Sequence, residues 1–141
     1  NLKEWNKNII YTPSWAKTFP GNASPHLDYR NMNNLLIDKK YSLQKFNEQK
    51  FQCLMNNCNY FLPKINYLNC MNKYKNLYSR ELISGLDSLL LYCSWINENN
   101  TIFIVENFIY NHRLHNLSFY SLSNKSNESR FKDSLRKILN K

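Results

Sequence analysis

Four cysteines and three histidines are the side chains through which this chain could act as a nucleophile or hold a metal. Cys53, Cys58, Cys70 and Cys93 are spaced x4, x11 and x22. A zinc knuckle starts from C-x2-C, whose tight turn delivers two thiolates to one ion. C-x4-C is too loose for that, and on a helix the five-residue step turns the two side chains about 140° apart. Four cysteines also permit two disulfides in an oxidising compartment, but the paired spacing of helix-hairpin scaffolds is absent. The pattern therefore predicts reduced cysteines packed as small apolar side chains, Cys93 foremost. His112 and His115 are i, i+3 and would share one face of a helix, yet no carboxylate pair completes a metal site. His26 stands apart. No catalytic residue, cofactor or metal is expected, and a small enzyme built on a Cys–His pair is the third of three functional readings.

Nucleotide chemistry is excluded more firmly. A phosphate-cradling loop needs several glycines close together, and a dinucleotide fingerprint needs three. This chain has two, Gly21 and Gly85. G-x-S-x-G, H-E-x-x-H and EF-hand patterns are also missing. The 24 asparagines read as the bias of a low-GC genome.

The remaining chemistry is that of polyanion binding. The formal charge is +9, but from Glu81 through His112 there is no Lys or Arg, and that window carries −4 against +13 elsewhere. The basic residues gather in three clusters: Lys39, Lys40, Lys45 and Lys50; Lys64, Lys73, Lys75 and Arg80; and Arg130, Lys132, Arg136, Lys137 and Lys141. Spaced cations of this kind neutralise phosphates and release counterions. Tyr60, Tyr67, Tyr74 and Tyr78 are interleaved with the second cluster and could stack on unpaired bases. The same clusters would suit anionic lipid, the last helix being basic and amphipathic.

These side chains need elements to position them. Pro13, Pro20 and Pro25 bar a regular helix near the N-terminus. Residues 1–29 therefore read as an extended arm whose Trp5, Tyr11, Trp15 and Phe19 lie on a surface, the domain's own or a protein partner's. Residues 31–58 look helical in pieces with a phase slip near Lys50, and 64–78 form a weaker helix. Residues 80–97 carry the widest apolar face, with Ser79 as N-cap. TIFIVENFIY at 101–110 suits a buried strand or a short buried helix. Phe131, Leu135, Ile138 and Leu139 mark an amphipathic C-terminal helix. The expected fold is mainly α: about four helices over 30–141, a short β-hairpin near 101–122, a polar linker at 121–129 and the N-terminal arm.

No window approaches 18 consecutive apolar residues, so no transmembrane segment is expected. The chain opens at Asn1 rather than Met, leaving room for an upstream targeting segment, and shows no recognisable signal peptide. The first functional reading is a non-catalytic structural subunit of a ribonucleoprotein, such as a mitochondrial ribosome. It would contact RNA through the basic clusters and other protein subunits through the arm. The alternative is an accessory subunit of a mitochondrial inner-membrane respiratory or ATP-synthase complex, touching the membrane without crossing it.

Overall fold

The computed structural model describes residues 5–19, 28–56, 60–77, 87–113 and 128–140. Within them the chain is a mixed α/β structure rather than a mainly α one. Three strands, β1 (Ile9–Phe19), β2 (Leu36–Ile37) and β3 (Thr101–Arg113), form a sheet in the order β1-β3-β2. β3 is central, parallel to β1 and antiparallel to β2. The helices are α1 (Lys39–Lys45), α2 (Gln49–Met55), α3 (Lys64–Tyr74), α4 (Asp87–Asn97) and α5 (Glu128–Leu139).

The expected mainly α class fails at the N-terminal segment and at 101–113. Both are extended, and each is the other's pairing partner, Ile9 opposite Thr101 through Phe19 opposite Arg113. Pro13, which bars a helix, is tolerated because β1 lies at the sheet edge, where a missing N–H need not break a ladder. Parallel strands require a long crossover, and the segment carrying α1 to α4 supplies it. The second arm of the expected hairpin, at 114–122, lies outside the described residues, as do Ser79, Arg80 and most of the 121–129 linker.

Alternation along the strands sets the two faces of the sheet. Ile10, Ile102 and Ile37 are paired across all three strands and fully buried. Their neighbours Tyr11, Phe103 and Leu36 are likewise paired and point the other way. The inner face packs against α4, whose residues Ser88 to Ile96 are all buried. A helix apolar all round must be enclosed, and α1, α2, α3 and α5 surround this one. The described part of the cation-free window is thus the hub helix and the middle strand, buried from Ser88 to Ile96 and at Ile102 and Ile104. Trp95 joins them, its indole N–H donating to the Thr101 carbonyl at 2.9 Å.

Residues 31–37, expected as part of a helix, form a 3-10 turn (Arg30–Met32) and β2. Asp38 then starts α1, its carboxylate accepting from the Tyr41 N–H at 2.8 Å. The phase slip near Lys50 is a real break at Phe46–Glu48 between α1 and α2. Three asparagines, Asn34, Asn99 and Asn107, hold positive φ near 60°. With so little glycine in the chain, Asn takes the left-handed positions it best tolerates after Gly. Asn107 sits where β3 bulges: Pro13 faces Val105 but Trp15 faces Ile109.

Candidate nucleic-acid interface

Two of the three basic clusters converge. α1 packs against α5, and both pack on α4. Leu135, Ile138 and Leu139 bury the inner stripe of α5, which turns Arg136 and Lys137 outward and leaves Lys132 half-buried. Arg136 reaches back to the turn after α1, donating to Asn47 Oδ1 at 2.6 Å and lying over the Phe46 ring at 5.6 Å. On α2, Lys50 is exposed and one turn from Cys53, whose thiol senses the charge of Lys132. Lys40, Lys45, Lys50, Lys132, Arg136 and Lys137 therefore lie on neighbouring helices. The acids among them are locally engaged: Glu48 with Lys45 at 2.7 Å and Asp133 with Arg136 at 2.9 Å. Lys40 and Lys137 are exposed and carry no ion pair among the described residues. Only the backbone of Arg130 is described.

Other predicted cations serve the fold. Lys39 donates to Asn97 Oδ1 at 3.0 Å, Asn97 donates to the Tyr74 hydroxyl at 2.7 Å, and that hydroxyl donates to Glu98 at 2.9 Å. Lys73 closes the network with a hydrogen-bonded ion pair to Glu98. Two lysines thus gather at the C-terminus of α4, where the helix dipole favours positive charge. The bond from Lys73 holds the Glu98 carboxyl below its ordinary range. Lys64 and Lys75, on and just beyond α3, are exposed with no ion pair among the described residues.

Three of the four tyrosines expected to stack on bases turn inward instead, and the fourth, Tyr78, lies outside the described residues. Tyr60 meets buried Tyr92 edge to face at 5.6 Å, and Tyr67 and Tyr74 lean on the core. Of the four aromatic residues expected to meet a protein partner, Tyr11 is buried and Trp15 is half-buried beneath Arg30 at 4.7 Å. Phe19 ends β1, with only its backbone described. Trp5 is 58% exposed. Sequence periodicity gave no sign of two further exposed rings, Phe61 and Phe108. They lie in a β-bridge and a bulge, where neither helix nor strand period applies.

At the three described cysteines thiol reactivity is disfavoured. Cys53, Cys70 and Cys93 are free, and burial raises the pKa of each, that of Cys70 to about 11. A reactive cysteine needs the opposite shift. Cys58, His26 and His115 lie outside the described residues, and only the backbone of His112 is described. Among the described residues no three Cys, His, Asp or Glu side chains gather as a metal site, and no helix is long and apolar enough to cross a membrane. The chain matches no protein-family model, no curated protein and no solved structure.

Proposed function

We propose that this chain is a non-catalytic, RNA-binding structural subunit of a ribonucleoprotein, of the kind found in a mitochondrial ribosome, held among other protein subunits. The observation that carries the reading is the packing of α1 against α5, which sets exposed Lys40 and Lys137 on adjoining helices with Lys45 and Arg136. Lysines spread over adjacent helices bind phosphates by point charge, without a sequence code. Burial raises the thiol pKa of Cys53, Cys70 and Cys93, which disfavours a covalent role for those three.

The test is RNA affinity across a salt series for the full chain and for a Lys40→Gln/Lys50→Gln/Lys137→Gln variant. Losing three phosphate contacts on a single strand should flatten the log–log salt slope by about 2. A slope that does not change, or RNA binding indifferent to salt, defeats the proposal. Vesicles of phosphatidylserine and phosphatidylcholine provide the second arm. Binding to them in preference to RNA would favour the inner-membrane accessory subunit instead.

A further inference from the structure

The face of the sheet turned away from α4 carries a patch unlike the lysine surface. Tyr11 and Phe103 are paired on that face with ring centroids 6.0 Å apart. Trp5 lies edge-on to Tyr11 at 5.2 Å and is 6.0 Å from Phe61, which meets Phe108 at 5.5 Å. Trp5, Phe61 and Phe108 are 58%, 47% and 44% exposed. These pairs meet at steep angles, between 58° and 82°, so ring faces are left for a flat partner.

We propose that this patch is a stacking platform for the bases of single-stranded RNA, with the asparagine-lined cleft beside it taking a base edge. The assignment rests on the RNA-binding reading above and names which form of RNA is bound and where. Charge complementarity selects the occupant. Exposed Lys7 lies two residues from Trp5, and exposed Lys64 lies three residues from Phe61. The two segments are stitched together by Tyr11–Phe61 backbone hydrogen bonds of 2.8 and 2.9 Å. The exposed acid on this stretch of β3, Glu106, accepts from the Asn34 carboxamide at 2.9 Å. Rings beside lysines match a strand that alternates flat bases with phosphates.

The cleft is the independent second observation. It is open, has a volume of about 270 Å³, and is lined by Asn66, Asn69 and Asn100 together with Lys73 and Glu98. Asn66 donates to Asn8 Oδ1 at 3.5 Å, which brings the cleft next to the turn that carries Lys7. Carboxamides offer a donor and an acceptor together, the pairing that base edges require. Trp5, expected from sequence to touch a protein, is thereby assigned to RNA.

The experiment is a fluorescence titration of the full chain with a single-stranded oligouridylate of about 12 nucleotides, within the usual site-size range. Polyphosphate of matched charge and duplex RNA are the comparisons. Trp95 is fully buried and Trp15 half-buried, so Trp5 dominates the accessible emission. The single strand should quench it and polyphosphate should not. Phe61→Ser/Phe108→Ser should weaken single-strand binding about fivefold or more while sparing polyphosphate binding. Phe61→Tyr/Phe108→Tyr should restore it. Trp5→Leu, followed with labelled RNA, repeats the test away from β1 and β3. RNA bound without quenching, or with equal affinity in the serine variant, overturns the assignment and leaves the lysine surface standing. So does loss of a co-purifying protein subunit from the serine variant with RNA affinity intact. If the wild-type chain binds no RNA of any form, the functional reading itself falls.

Discussion

Truncating Ile104 to alanine should cost this protein a large part of its stability. Ile104 is fully buried on the central strand, with Thr12 of β1 opposite and the Asn34–Leu35 backbone bonded on its other side. It shares the inner face with Ile102. The substitution removes three carbons, worth about 2.4 kcal/mol of transfer free energy at about 0.8 each. The strand is hydrogen-bonded on both edges, so the site cannot collapse and a cavity term adds. The expected total is about 3.5 kcal/mol, within the range for buried Ile→Ala changes. With a urea m-value of about 2 kcal/mol/M, the midpoint should fall by about 1.7 M. Ile104→Val should cost about 1 kcal/mol. Leu36→Ala is the control, because Leu36 is on the outer face and 49% exposed. It should cost less than about 1 kcal/mol. An Ile104→Ala loss below about 1 kcal/mol, or one matched by Leu36→Ala, would refute the assignment of faces and the pairing of β3.

The remaining predictions concern local devices. Asn99 ends α4 at positive φ, its N–H donating to the Ile96 carbonyl at 3.0 Å. Asn99→Gly should therefore be neutral or stabilising in thermal unfolding, and Asn99→Ala should lose about 1 kcal/mol. Asp38→Ala removes the cap on α1 and should also cost about 1 kcal/mol, read from the denaturation midpoint. Glu98 has its folded pKa held below the ordinary value by Lys73, so its contribution is present at neutral pH and disappears as pH falls through the carboxylate range. Glu98→Gln should accordingly melt below the wild type at pH 7, and the gap should close as pH falls through the carboxylate range; a gap unchanged by acid would contradict this. In a Cys58→Ser background, a disulfide-exchange reagent at neutral pH should find Cys53 slow, Cys70 slower and Cys93 unreactive until unfolding, since burial raises all three. One cysteine reacting unusually fast would revive the enzyme reading.

What local pattern records, the sequence already showed. The apolar run of α4, the stripe of Leu135, Ile138 and Leu139 on α5, the break near Lys50 and the absence of Lys and Arg from 81–112 are all readable without coordinates. Each depends on which side of a short segment meets water, and period and composition encode that directly. The asparagines are a partial case: their number is visible, but only backbone angles show that Asn34, Asn99 and Asn107 do a glycine's work.

The strand pairing was decided elsewhere. β1 and β3 pair although their first residues are numbered 9 and 101, and neither stretch alone distinguishes a strand from an arm or a buried helix. Tertiary packing also sorted the charges and rings. It spent Lys39 and Lys73 on the end of α4, joined the first and last basic clusters across α1 and α5, and turned Tyr60, Tyr67 and Tyr74 inward. It brought Trp5, Phe61 and Phe108 from three separate segments onto one sheet face. A sequence states which side chains exist to bind something; only contacts between distant segments decide which of them are left over to do it.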